Sequence, residues 1–272
     1  MLFVTWNVNS LRARLPRVLE LIERHRPDVL ALQETKCSPA NFPAAELESA
    51  GYSVTHSSAG QWAGVALLVR GPLDATQPVL ELHADVVRGE ARWCEATVMG
   101  IRFISTYVPN GRALDSPEFP RKLAFLSAAA DRVAGLRSSA PALPLLLAGD
   151  LNIAPSDDDV YDAAAYIGST HVSEPERSAL ETLMQRGELR DAFRALHPGE
   201  RQFTWWDYRA GNFHKNLGMR IDLVLVTPEL ASGLRSCGID RDFRKGTKPS
   251  DHAPLLVDFD PAGISTGSVR FG

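Results

Sequence analysis

Cysteine is scarce in this sequence: Cys37, Cys94 and Cys237 are odd in number, far apart, and form no Cys-x-x-Cys pair. That excludes a disulfide framework and a cysteine zinc site, and it implies a reducing compartment. No apolar run approaches membrane-spanning length, and Leu2-Phe3-Val4 opens the chain with neither a basic stretch nor a small-residue cleavage site. The expectation is a soluble, cytoplasmic protein without membrane contact. Low-complexity segments, short repeats and Pro/Ser/Gly linkers are also missing, so the 272 residues, 44% of them hydrophobic, read as a single domain over 1–260. The aperiodic stretch 261–272 reads as a loose C-terminal tail. A strong basic excess is absent too. The formal net charge of −4 argues against nonspecific binding to a polyanion, although it does not locate the charges.

Their distribution is uneven. From Arg201 to Lys248 there are nine Lys/Arg against five Asp/Glu, with Arg241, Arg244, Lys245 and Lys248 clustered. A charge run alone is a solvated surface, but this one immediately precedes Asp251-His252 and so suggests a phosphate-facing rim.

Periodicity predicts strand, helix, strand at the start: Leu2 to Trp6, then Leu11, Leu15, Val18, Leu19 and Ile22 at helical spacing, then Val29 to Gln33. Asn9 or Ser10 is placed to cap that helix, and Pro27 stops it. Strands are predicted at Tyr52-His56, Val65-Val69, Cys94-Val98 and Ile101-Tyr107. A helix follows over about Pro120 to Leu136, then a strand at Leu143-Ala148, a helix including Glu176 to Gln185, and strands at Phe203-Trp206, Ile221-Val226 and Leu255-Asp258. This order is neither a regular βαβ repeat nor an all-β chain. It favours a mixed α/β fold of two sheets packed face to face with helices outside.

Polar groups stand where the buried strands begin or end: Asn7, Glu34, Asp150 with Asn152, and Asp222. Such a fold gathers strand ends into one cleft. Glu34 and Asp251 suit a hard cation such as magnesium, which uses one or two carboxylates and keeps waters, though a Glu ending a strand also serves as a solvated cap. Asp150 and Asn152 alternate along the chain, so both can face one side; the carboxylate suits a water and the amide a phosphate oxygen. An Asx turn is their plainer use. Asp222 beside His252 would favour the charged imidazole, with one N–H left for phosphate. Tyr107 and Asn110, in Tyr107-Val108-Pro109-Asn110-Gly111, sit at a strand-to-turn transition that can equally be turn chemistry. In Phe203-Thr204-Trp205-Trp206-Asp207-Tyr208, alternation puts the two indoles on opposite faces, with Trp206 in the core and Trp205 free to contact nucleotides. Trp6, Trp62 and Trp93 read as packing residues.

Together these strings resemble the exonuclease III family of apurinic/apyrimidinic endonucleases, within the endonuclease/exonuclease/phosphatase superfamily. The resemblance spans nearly the whole chain: Trp6-Asn7-Val8-Asn9, Gln33-Glu34-Thr35-Lys36, Tyr107-Val108-Pro109-Asn110-Gly111, Gly149-Asp150-Leu151-Asn152, Thr204-Trp205-Trp206-Asp207-Tyr208-Arg209, Arg220-Ile221-Asp222 and Ser250-Asp251-His252-Ala253-Pro254. It implies a four-layered α/β sandwich with the site at one end of two mixed sheets. It implies Glu34 as principal Mg²⁺ ligand (Mn²⁺ a substitute) with Asn7 and Asp251, and a water activated and placed by Asp150 and Asn152, which also offer a second metal site. His252, supported by Asp222, would bind the phosphate with Tyr107 and Asn110. Trp205 and Ile221 would wall a pocket for an abasic sugar, Met219 and Arg220 would lie against DNA, and Arg112 matches a loop that inserts into the duplex. The implied activity is incision 5′ to abasic sites in duplex DNA, with cleaning of blocked 3′ ends and 3′-to-5′ exonuclease action, by a monomer without an obligate protein partner. A nonspecific nuclease or inositol-phosphate phosphatase of the same fold, or an idle DNA-binding module, are the rival expectations.

Overall fold

The structure, a computed structural model, describes residues 1–82 and 88–261; most of the stretch 261–272 lies outside the described residues. Two six-stranded mixed sheets form its centre. The first contains β1 (Leu2–Asn7), β2 (Val29–Gln33), β3 (Tyr52–Ser57), β4 (Val65–Arg70), β11 (Leu234–Ile239) and β12 (Leu255–Phe259), in the order β11-β12-β1-β2-β4-β3. The second contains β5 (Thr76–Val79), β6 (Trp93–Val98), β7 (Ile101–Tyr107), β8 (Leu145–Asp150), β9 (Arg190–Asp191) and β10 (Asp222–Val226), in the order β5-β6-β7-β8-β10-β9. Each sheet has one parallel pair made by a helical crossover: β1 and β2 through α1 (Leu11–His25), and β7 and β8 through α3 (Glu118–Ser139). All other pairings are antiparallel.

Strand alternation produces four layers. Phe3, Ala31, Leu67, Phe103, Leu146, Ala148 and Val224 point between the sheets and form one core. Their neighbours Val4, Leu30, Leu32 and Leu68 point the other way, onto Val18, Leu21 and Ile22 of α1 and Leu47 of α2 (Ala44–Ser49). On the far side, Ile104, Leu145, Leu147, Leu223 and Leu225 meet α3 and α4 (Glu174–Gly187) through Phe125, Leu126, Val133, Leu180 and Leu183. Burial on both faces makes the central strands read as unbroken apolar runs rather than alternating ones. The predicted four-layered sandwich is the observed fold. No helix among the described residues is long and apolar enough to cross a membrane.

Local expectations were corrected in three places. Phe203-Trp206 is not a strand; Trp205 makes only isolated bridges to Met219 and His252, because its neighbours turn away to pack in separate clusters. The side chains of Asn9 and Ser10 do not cap α1, since Asn9 is engaged by Asp251 and Lys36 instead. Trp62 is not a packing residue: it is 79% exposed, whereas Trp6 and Trp93 are buried.

Candidate active site

Strand register sets the site. Asn7 and Gln33 are abreast at the ends of β1 and β2, and Tyr107, Asp150 and Asp222 are abreast across β7, β8 and β10. Both sheets therefore deliver polar side chains to the same end of the sandwich. The amide of Asn7 joins them, donating from Nδ2 to Glu34 Oε1 at 2.8 Å and to Asp150 Oδ2 at 2.9 Å. Beneath, Gln33 donates to Thr5 and to Ser105 of the opposite sheet, both at 3.0 Å. This buried polar tie fixes the spacing between the sheets where the site needs it.

Backbone conformation aims the side chains. Glu34 and Asn152 both lie in the left-handed region, at φ 51° and 54°, an uncommon conformation for residues with a Cβ and one that concentrates at functional sites. Asn152 is held there by its own N–H, which donates to Asp150 Oδ1 at 2.9 Å, and by Nδ2 donating to Val108 O at 3.0 Å. The Asx turn and the shared facing of Asp150 and Asn152 thus coexist, although by a bend after the strand rather than by strand alternation. Gly149 precedes them at φ 145°, and a Cβ there would lie 1.9 Å from Thr106 O. Only glycine lets β7 and β8 approach so closely at this point.

Ser250-Asp251-His252 enters from the opposite side. Ser250 donates to Asn7 O at 2.7 Å, and the Trp6 indole donates to His252 O at 3.0 Å. His252 is buried, with Nδ1 2.8 Å from Asp222 Oδ2 and Nε2 3.8 Å from Asp150 Oδ2. Burial favours the neutral ring, but Asp222 and Asp150 outweigh it and push the imidazole up to about 10, so both nitrogens carry protons at neutral pH. Burial pushes Asp150 up to about 7 against the pull of His252, aided by Asp222 and Glu34. Tyr107 is raised well above the usual phenol range, by burial first and then by Glu34, to which it hydrogen-bonds, and Asp150. It stays a neutral O–H donor.

Glu34, Asp150 and His252 bring one ligand atom each within 4.8 Å of one another. With His252 protonated, the donors left for a cation are carboxylate oxygens, which fit a hard divalent ion. Asn7 faces them with its NH₂, because its Oδ1 accepts the Asn9 N–H at 3.0 Å; in this arrangement it braces the carboxylates. Asp251 lies beside them, with Oδ1 accepting from Asn9 at 3.0 Å and Oδ2 from the Trp205 indole at 3.1 Å. Lys36 spans Asn9 Oδ1 at 2.6 Å and Glu34 Oε2 at 2.7 Å.

Asn110 reaches Asn152 Oδ1 at 3.2 Å, and Arg112 is exposed on the adjoining turn. Trp205 and Ile221 share a small apolar cluster with Ala154, Val160 and Met219. Met219 and Arg220 do not lie at the surface as expected: they are 1% and 0% exposed. Arg220 is instead clamped between Asp159 and Asp191, at 2.7 Å to each, and braces the wall from behind. The basic cluster is also partly internal. Arg244 packs over Tyr208 and Phe213, Arg241 over Trp206 and Phe213, and Lys245 pairs with Asp242 at 2.6 Å.

Two groups escaped the sequence reading. His171 Nδ1 lies 2.5 Å from Asn152 O, so that nitrogen donates, and Nε2 is left to accept from Asn110 at 3.4 Å. Desolvation, with Lys122 near, pushes the ring down to about 4 and keeps it neutral. Lys122 is fully buried, ion-paired to Glu176, and donates to Asn152 O at 2.7 Å and Asn110 O at 3.2 Å. One ammonium thus holds both amide-bearing loops. Lys122→Met should cost about 3–5 kcal/mol, because it strands the Glu176 carboxylate in the interior; urea unfolding of the two proteins measures it, and a loss below about 1 kcal/mol would contradict the account.

Comparison with known proteins finds matches over nearly the whole chain. The endonuclease/exonuclease/phosphatase family matches residues 4–252. An exodeoxyribonuclease III of Haemophilus influenzae is 32% identical over 269 residues, which covers 95% of this chain and 100% of that protein. A 3′ phosphatase, NExo from Neisseria, solved with a product DNA hairpin, has 38% identity and a TM-score of 0.91 over 96% of this chain and 99% of that one. An AP endonuclease from Archaeoglobus fulgidus has 32% identity and a TM-score of 0.90 over 96% and 99%.

Proposed function

The chain belongs to the endonuclease/exonuclease/phosphatase family, and from that premise we propose that it is a divalent-metal-dependent DNA repair nuclease attacking phosphorus esterified to a 3′ oxygen of duplex DNA. One reaction covers three substrates. Water attacks phosphorus, the bond to O3′ breaks, and a 3′-hydroxyl remains; the departing piece is inorganic phosphate, a terminal nucleotide, or the 5′ phosphate of an abasic residue. The convergence of Glu34, Asp150 and His252 from separate elements carries this reading.

Asp150 is placed to hold the attacking water and accept its proton, while the Asn152 and Asn110 amides orient the phosphate. His252 presents its Nε2–H to a non-bridging oxygen, and the neutral Tyr107 hydroxyl can donate toward the leaving oxygen. Glu34, with Asp251 and with Asn7 bracing it, would hold Mg²⁺ or Mn²⁺, whose chemistry is to neutralise charge growing on the phosphate. Asp150 and Asn152 offer oxygens for a second ion. Arg112, exposed beside Asn110, is the group placed to reach into the duplex.

Processing of 3′ ends leads, because the 3′ phosphatase relative shares more identity with this chain than the AP endonuclease does. Incision at abasic sites is the second reading, supported by the apolar wall of Trp205 and Ile221, which suits a sugar without its base. Rates on 3′-phosphate, recessed and tetrahydrofuran-containing duplexes, with Mg²⁺ or with EDTA, test the proposal. All activity should require metal, with 3′-end release at least as fast as abasic incision. Faster hydrolysis of an inositol phosphate than of any duplex would overturn it.

A further inference from the structure

The Trp205 indole has two environments at once. Its body packs with Val160, Met219 and Ile221, while its edge N–H donates to Asp251 Oδ2 at 3.1 Å, a division of labour that suits an amphipathic ring. Donor and acceptor ride on segments that are zipped together. The Ala253 N–H donates to Thr204 O at 2.7 Å and the Trp206 N–H to Asp251 O at 3.1 Å, and Trp205 exchanges backbone hydrogen bonds with Met219 at 2.9 and 3.0 Å. The indole N–H is therefore fixed relative to the carboxylate before any ligand arrives.

Asp251 is held differently from Glu34 and Asp222. Glu34 has the Lys36 ammonium 2.7 Å from Oε2, and Asp222 has the His252 imidazolium 2.8 Å from Oδ2. Asp251 instead accepts from two neutral groups, the Asn9 amide on Oδ1 at 3.0 Å and the Trp205 indole on Oδ2. An ionised carboxylate has about four lone-pair sites, so two remain open. Neutral donors set the direction of these without cancelling the charge, which suits a group that must face a cation.

We propose that Trp205 is a positioning residue for the metal-side carboxylate: its N–H sets the rotamer of Asp251, so one side chain both walls the sugar pocket and aims a negative charge at the cation. This role rests on the metal-dependent nuclease reading above. Phenylalanine would keep an aromatic wall and lose the second task, since its ring carries no donor. The loss would appear in metal affinity before any DNA is bound.

Trp205→Phe, Ile221→Ala, Asp251→Asn and the double variant of the first and last, made in the full chain, test it by Mn²⁺ titration of the DNA-free protein, with free Mn²⁺ followed by electron paramagnetic resonance. Trp205→Phe should weaken Mn²⁺ binding about 10-fold or more, the scale for losing an outer hydrogen bond to a metal ligand, and should raise the Mn²⁺ concentration for half-maximal turnover by the same factor. KM for a 3′-recessed duplex at saturating Mn²⁺ should change far less, because the wall is kept. Ile221→Ala, which thins the wall without touching the donors to Asp251, should do the reverse: raise KM and leave Mn²⁺ affinity at the parent value. With Asp251 already replaced by asparagine, Trp205→Phe should have no further effect on Mn²⁺ binding. Parent-like Mn²⁺ affinity in Trp205→Phe, or an undiminished loss in the Asp251→Asn background, would overturn the positioning role while leaving the nuclease reading intact. An equal loss in Ile221→Ala would trace the effect to the wall rather than to the N–H and overturn it too. A parent that neither binds Mn²⁺ nor cuts DNA would defeat the nuclease reading first, and this role with it.

Discussion

Asp150→Asn should lower kcat by about 10²- to 10⁴-fold, the range for loss of a positioned general base, while Kd for DNA stays near the parent value. The carboxylate is buried and fixed from three directions: Oδ2 accepts from Asn7 at 2.9 Å and faces His252 Nε2 at 3.8 Å, and Oδ1 accepts from the Asn152 N–H at 2.9 Å. An amide keeps this shape but cannot take a proton. It also turns an NH₂ toward neighbours that are themselves donors, so one of those hydrogen bonds becomes a repulsive contact. On the proposed mechanism the loss falls on the chemical step, because Asn110, Asn152 and His252 would hold the substrate. Single-turnover rates on a 3′-phosphate duplex, beside anisotropy for binding, separate the two effects. Near-parental turnover would remove Asp150 from the water-activating role.

How much of this was legible in the sequence depended on burial. The central strands β1, β2, β8 and β10 are covered on both faces, so their apolar runs stand out and their ends locate Asn7, Glu34, Asp150 and Asp222. The edge strands β5 and β9 carry no such signal, unlike the edge strand β3, which was legible. Thr76–Val79 is largely exposed and Arg190–Asp191 has two residues, too short for any periodicity to register. That these strand ends meet in one cleft followed from the fold class, but the direct hydrogen bond from Asn7 to Asp150 depends on how two sheets pack, which alternation within a strand does not encode.

Arg220, Trp62 and His171 show a second limit. A side chain's type suggests its surroundings only on average. Arg220 became internal because Asp159 and Asp191, distant in sequence, compensate its charge. Trp62 is exposed although its type suggests burial, on a loop tied by backbone hydrogen bonds to the segment after Glu34. His171 follows no motif, and only the folded chain brings it to Asn152; its neighbours Thr170 and Glu176 gain meaning only once Lys122 is known to be buried with them.

Asp222→Asn should cost nearly as much as His252→Ala, about 10²- to 10³-fold in kcat/KM each, the scale for losing one preorganised donor to a developing anion. His252 is 3% exposed, and so deep a ring would shed its charge without a counterion. Asp222 supplies that counterion at 2.8 Å from Nδ1, and only then does Nε2 keep the proton it offers to phosphate. An asparagine can accept the Nδ1–H bond and preserve the ring's position, but it supplies no formal charge, so Nε2 faces the phosphate as an acceptor and repels it. If the two residues act as one donor, the double variant should be no worse than either single one, a strongly non-additive cycle. Losses that multiply would mean that Asp222 and His252 contribute separately. A nearly active Asp222→Asn would mean that Asp150, 3.8 Å from Nε2, suffices to hold the imidazolium.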